Sequence, residues 1–130
     1  MLDSLGELQV TDKVDMVNSP QMLFTNEQWQ TLLTETVAAI TALAKNKGAE
    51  YSGDFDRLAN FRRNGVNLGL SMEQVWAVYA GKHWDSIMQF VKDLGTGKDR
   101  MRTEPLGGRA DDLIVYLLLF KAMLQERGQL

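Results

Sequence analysis

From Leu113 to Phe120 every residue is apolar or aromatic, so no side of that run is fit for water. A segment apolar all round must be buried as a helix or a strand. Length selects the helix. Good helix formers continue through Lys121, Ala122, Met123, Leu124 and Gln125, and Gly128 follows as a stop. Residues 107–127 therefore read as the central helix of a bundle, surrounded by the other helices. Arg109, Asp111, Asp112 and Lys121 flank the run too closely for it to span a membrane. Arg109 and Asp112 lie three residues apart and share a face, which Tyr116 and Leu119 extend into the apolar run. Asp111 has an ordinary reading as a partner of the positive helix N-terminus. Asp112, leading directly into the buried face, is a site candidate.

The rest of the chain supplies what must cover that helix. Thr25 and Gln28 have capping-box spacing, and Trp29, Leu32, Leu33, Thr36, Val37, Ile40, Leu43 and Ala44 form one stripe. This predicts a helix over 26–46 whose stripe is core. A shorter helix is expected over 54–64, ending at Asn64-Gly65, and a loop with packed apolar residues over 65–70. Ser71 and Gln74 form a second capping box that opens a helix over 71–94, with Gly95 as its stop. A Gly-, Lys- and Arg-rich connection follows. No stretch reads as a strand, so the expected fold is all-α, a bundle of four main helices. Residues 1–24 read as an N-terminal arm and 25–130 as one domain.

Composition narrows the functions open to such a bundle. The chain has no cysteine, which excludes disulfides, thiolate metal sites and cysteine nucleophiles. Its N-terminus has neither the basic region nor the apolar region of a signal peptide, so a reducing, cytoplasmic location is expected. A net charge of −3 argues against a protein that coats a nucleic acid polymer. Two local basic clusters stand out against it: Arg57, Arg62 and Arg63, and Lys98, Arg100 and Arg102. They suit a small anionic ligand better than a polymer. The only histidine, His83, sits mid-helix between Lys82 and Asp85; its ordinary reading is a partly buried polar residue, its functional one a site residue.

No Gly-rich phosphate loop, GxSxG, HExxH or EF-hand loop is present. What remains is a set of acids and bases at helix ends. Carboxylates converging from several helices are what Mg²⁺ needs, and the ion would bridge phosphate oxygens.

Four blocks add to this: Lys47-Gly-Ala-Glu50-Tyr51, Asp56-Arg-Leu-Ala-Asn60-Phe61-Arg62, Tyr79-Ala-Gly-Lys82-His83-Trp-Asp85-Ser-Ile87, and Glu104-Pro-Leu-Gly-Gly-Arg109-Ala-Asp-Asp112-Leu-Ile-Val-Tyr116. In this order, over roughly residues 25–125, they resemble the largely phage-borne family called nucleotide modification associated domain 1, grouped with the MazG-like all-α nucleoside triphosphate pyrophosphatases. The resemblance implies an all-α bundle, usually oligomeric, that binds a free or modified nucleotide; so small a bundle around a helix apolar on all sides itself predicts a dimer or tetramer. The resemblance also brings Mg²⁺-dependent cleavage between the α and β phosphates into view. On this reading Glu50, Asp85, Glu104 and Asp112 hold Mg²⁺, while Lys47, Arg62, Lys82 and Arg109 bind phosphate. His83 or Asn60 orients the attacking water or the sugar, and Phe61 or Trp84 stacks on the base. The chain departs from MazG-type pyrophosphatases in two places: it has no ExxE, and Arg109 stands where a second carboxylate is expected before Asp112. An arginine repels a metal but binds phosphate through its planar fork. The alternative is a nucleotide-binding protein without turnover, for instance one that sequesters a signalling nucleotide; a plain interaction scaffold is the third.

Overall fold

The computed structural model describes residues 23–51 and 55–130. It contains α1 (Asn26–Tyr51), α2 (Ala59–Leu68), α3 (Met72–Thr96) and α4 (Leu106–Glu126), and no strand among the described residues. The expected all-α class is what the chain forms. Most of the expected arm, and the expected start of the second helix at Asp54, lie outside the described residues. The chain divides into two compact units at Glu35, and α1 runs through that boundary.

In the first unit, α1 opens on the expected capping box. The Thr25 backbone N–H donates to Gln28 Oε1 at 2.7 Å, and the Gln28 N–H donates to Thr25 Oγ1 at 3.1 Å. The stripe that follows is not core: Trp29, Leu32 and Leu33, and Val37 just past the boundary, are each about half exposed. Periodicity marks the apolar face of a helix but does not supply the surface that covers it.

The second unit, Thr36–Leu130, holds the core. Here α1 continues to Tyr51 and does not stop near residue 46. Gly48 stays inside the helix, and a Cβ there would run into the Arg57 guanidinium. Arg57 Nη2 donates to the Ala44 carbonyl at 2.6 Å, so a bare helix surface is what lets the arginine lie across it.

Likewise α2 begins later than expected and passes through Asn64-Gly65, so the loop expected over 65–70 is largely helix. Gly65 is needed for close approach, not for a stop: a Cβ on it would lie 2.7 Å from the Leu70 carbonyl oxygen. The Leu70 N–H donates to the Gly65 carbonyl at 2.8 Å, and Gly69, at φ 70°, makes the turn. Immediately afterwards Ser71 caps α3 with the predicted box. The stop of α3 falls at Gly97, also at φ 70°, and not at Gly95. Paired Lys98→Asp93 and Gly97→Leu94 backbone bonds close that end. Gly128 ends α4 in the same manner, as expected, through Gln129→Leu124 and Gly128→Gln125 bonds.

Leu58, Phe61, Val75 and Met123 form the buried centre, with Met72, Trp76, Tyr79, Tyr116, Leu119 and Ala122 packed around it. Trp76 stacks near Phe120 at 4.9 Å between ring centroids and donates Nε1–H to the Tyr116 carbonyl at 2.7 Å. Trp76 meets residues 116–120 and His83 meets Asp112, so α3 and α4 run antiparallel. The expectation that α4 is surrounded is corrected here. Val115 and Met123 are buried, but Leu117 and Leu118 are about half exposed. Within this unit α2 and α3 cover one side of α4 only. No described helix is long and apolar enough to cross a membrane.

Candidate functional site

Within the second unit a cavity of about 380 Å³ opens beside the core, in the size range of small-molecule sites. The C-terminal part of α1 contributes Leu43 and Lys47; the turn before α2 contributes Arg57, and α2 itself Asn60, Phe61, Arg63 and Asn64. From α3 come Tyr79, Lys82 and His83, from the connection Glu104, and from α4 Asp112, Val115, Tyr116 and Leu119. Four cationic side chains, Lys47, Arg57, Arg63 and Lys82, thus face two carboxylates, Glu104 and Asp112, around an aromatic wall.

The core rigidifies that wall. Phe61 is almost wholly buried, 6.0 Å from Tyr79 and 6.4 Å from Tyr116 between ring centroids. Asn64 Nδ2 donates to the Tyr79 hydroxyl at 3.0 Å, and the His83 ring lies 5.3 Å from that of Tyr116.

A charged cluster joins α3, the connection and α4. His83 is buried, with Nδ1 3.3 Å from Arg109 Nη1 and 3.6 Å from Asp112 Oδ2. Burial holds the His83 pKa below its ordinary value; Asp112 and Glu104 pull it up, while Lys82 and Arg109 push it down. Arg109 Nε is buried without a hydrogen bond: its nearest carboxylate oxygen, Glu104 Oε1, is 3.6 Å away, too long for one.

The expected site residues divide accordingly. Lys47, Asn60, Phe61, Lys82, His83, Glu104 and Asp112 border the cavity, and Arg109 stands behind it against His83. Arg62, Trp84, Glu50 and Asp85 are not brought to it. Glu50 and Asp85 are exposed and Trp84 is half exposed, each without a place in the cavity wall. Arg62 is bound instead by Asp56, at 2.7 Å from Nε, and by Glu126. Arg62, first through hydrogen bonds, holds the carboxyl pKa values of both Asp56 and Glu126 below the usual range, and they raise its own. Glu126 is far away in sequence and Asp56 is close in sequence to Arg57 and Arg63 as well as to Arg62, so local sequence does not show that Arg62 turns from the site while Arg57 and Arg63 turn toward it.

The second basic cluster is corrected in the same way. Arg100 and Arg102 serve Asp93, a buried acid on α3. Arg100 donates Nε–H to Asp93 Oδ2 at 2.7 Å and Nη2–H to Oδ1 at 3.1 Å; Arg102 Nη2 reaches Oδ2 at 3.4 Å, and Gln89 Nε2 donates to Oδ1 at 3.1 Å. Arg102 also lies over the Phe90 ring at 5.1 Å. This clamp ties down the connection that delivers Glu104. Nothing local marked Asp93 as buried, since its same-face neighbours Ser86, Gln89 and Thr96 are polar.

Among the described residues no three His, Cys, Asp or Glu side chains gather as a metal-ligand group. Glu104 and Asp112 are the two expected ligands that border the cavity, and one or two carboxylates plus ligand phosphates are a common Mg²⁺ complement. These two would hold the ion, whose contribution would be charge neutralisation at phosphate oxygens. The fold and site define an all-α protein with a basic, aromatic-walled cavity. No family model, curated protein or solved structure matches the chain.

Proposed function

We propose that this protein binds a nucleotide in the cavity between the C-terminal part of α1 and helices α2 to α4. The observation that carries the reading is the convergence of Lys47, Arg57, Arg63 and Lys82 beside Phe61, Tyr79 and Tyr116. Cationic side chains at one cavity suit a polyanion, and an aromatic wall suits a flat heterocycle. A phosphate chain placed on the cations leaves the base against Tyr79 and Tyr116. The blocks that resemble nucleotide modification associated domain 1 support the same ligand class, and a phage-encoded protein of the host cytoplasm fits it.

Hydrolysis to monophosphate and pyrophosphate is a second reading, favoured by Glu104 and Asp112 on the cavity. Binding without turnover has more support, because the guanidinium of Arg109 stands 3.6 Å from Glu104 itself and 3.3 Å from His83, the neighbour of Asp112. That fixed positive charge disfavours a cation held by the protein alone, so an ion would enter with the ligand's phosphates and serve to neutralise them.

Tryptophan fluorescence tests the proposal, since Trp76 is bonded to the backbone of Tyr116 on the cavity wall. Titration with nucleoside mono-, di- and triphosphates, with and without Mg²⁺, should give saturable changes that strengthen with phosphate number. Lys82→Ala should weaken binding by about tenfold or more, the effect of losing one charged hydrogen bond. No response to any nucleotide would overturn the reading. Recovery of every bound nucleotide intact after incubation with Mg²⁺ would reject hydrolysis and leave binding.

A further inference from the structure

The chain has one histidine, and its two ring nitrogens face different surroundings. Nδ1 points at the Arg109 guanidinium, 3.3 Å from Nη1. A guanidinium has donors and no acceptor, so a bond at that distance requires a lone pair on Nδ1. Asp112 Oδ2, at 3.6 Å from the same nitrogen, is beyond hydrogen-bond reach. A proton on Nδ1 would therefore face the arginine N–H without gaining a bond to the aspartate. Burial of His83 disfavours carrying protons on both nitrogens. The ring plane is fixed independently by Tyr116, 5.3 Å away between centroids and tilted by 35°.

The ring's single N–H is then at Nε2. His83 borders the cavity, and among the described residues no acceptor is bonded to Nε2. We infer that Arg109 locks His83 in the Nε2–H tautomer, and that His83 binds the ligand as a neutral hydrogen-bond donor to a phosphate oxygen. The inference rests on the anion-binding reading of the cavity. Arg109 is a positioning residue acting through the imidazole. The ring cannot serve as a general base, because the lone pair that would take a proton is engaged by Arg109. In any turnover the acceptance of a proton falls to a carboxylate, Asp112 or Glu104, and not to His83.

The single histidine makes the test direct. In full-length protein labelled with ¹⁵N-histidine, long-range ¹H–¹⁵N correlation at neutral pH should show one imidazole with the Nε2–H pattern. Arg109→Met should free Asp112 to close the 3.6 Å gap to Nδ1 and convert the ring, wholly or in part, to the Nδ1–H form, whereas Arg109→Lys, which restores a donor, should retain Nε2–H. A loss of packing alone would not exchange the two nitrogen signatures. Titration with inorganic pyrophosphate should then shift the Nε2 resonance more than Nδ1. An Nδ1–H or doubly protonated ring in the wild type, or a tautomer unchanged in Arg109→Met, overturns the lock. Should Arg109→Met fail to fold, Arg109→Leu, which also lacks a donor, takes its place in the same comparison. Pyrophosphate binding seen by tryptophan fluorescence with Nε2 unmoved overturns the donor role alone. Binding absent by both signals, with the Nε2–H form present, overturns the donor role and the anion-binding reading beneath it while leaving the tautomer assignment standing.

Discussion

At α4's first turns, two adjacent carboxylates have different surroundings. Asp112 is mostly buried, borders the cavity and lies 3.6 Å from His83, whereas Asp111 does neither. Asp111→Asn should cost about 0.3–1 kcal/mol of stability through the helix dipole and leave nucleotide affinity unchanged. Asp112→Asn should weaken Mg²⁺–nucleotide binding about tenfold, measured by fluorescence titration, because a metal ligand is lost. An affinity that rises instead would show Asp112 to be a repulsive neighbour of bare phosphate, and the Mg²⁺ reading would fail. Asp93 gives a pH prediction. Hydrogen bonds from Arg100, and then Gln89, hold its carboxyl pKa at about 2, below the ordinary 3.8. A depressed folded-state pKa stabilises the fold above the unfolded value, and that contribution is lost as pH falls from about 4 toward 2. Asp93→Asn should therefore lower the melting temperature at pH 7, and its deficit against wild type should shrink across that acid window. A deficit independent of pH would show that packing, not charge, is what Asp93 contributes.

Between residue and molecule, helices here are placed by contacts that two glycines permit. Gly48 leaves room for Arg57 to cross α1 and reach the Ala44 carbonyl. Alanine at an interior helix position gains about 0.8–1 kcal/mol of propensity over glycine. The displaced Arg57 forfeits a hydrogen bond worth about 1 kcal/mol or more. Gly48→Ala should thus leave chemical-denaturation stability nearly unchanged while impairing nucleotide binding, since a cavity-lining cation moves. Gly65→Ala should behave oppositely. Its Cβ would meet backbone, the Leu70 carbonyl at 2.7 Å, and backbone at a tight turn cannot swing aside. A loss of about 1–3 kcal/mol is expected by urea unfolding. A Gly65→Ala protein as stable as wild type would show that the α2–α3 turn yields more easily than its contacts imply.

For the assembled molecule the open question is what covers the apolar surface of α3 and α4. On α3, Trp84, Met88 and Val91 recur at helical spacing and are 51%, 38% and 52% exposed; on α4, Leu117 and Leu118 are about half exposed. Half-exposed apolar side chains repeating along one helix are what an interaction surface presents. A second copy of the same chain is the expected cover, giving a dimer or a dimer of dimers. Light scattering at micromolar concentration should report a multiple of the 14.7 kDa chain mass. Substituting Trp84 and Leu117 by glutamate should reduce it to the monomer while circular dichroism stays helical. A wild-type monomer would rule the assembly out.

Capping boxes at Thr25 and Ser71, the stop at Gly128 and the apolar run from Leu113 to Phe120 placed α1, α3 and α4 by local rules alone, since each depends on residues within a few positions of one another; α2, which has no side-chain cap, was placed only approximately. The charged and titratable residues Lys47, Lys82, His83, Glu104 and Asp112 stood out in the sequence, and the family resemblance added Asn60 and Phe61; all of them border the cavity. Local sequence did not settle which arginine faces a ligand. Arg62 was taken by Glu126 and Arg100 by Asp93, while Arg57 and Arg63 were left on the cavity. Nor did it show that Gly48 and Gly65 lie within helices, because Gly48 accommodates Arg57 from another segment and Gly65 the Leu70 carbonyl of the turn that follows it. Helix formation is a local balance of propensity and capping. The facing of a charged side chain is decided by its partners across the fold, and those are set only when the helices have packed.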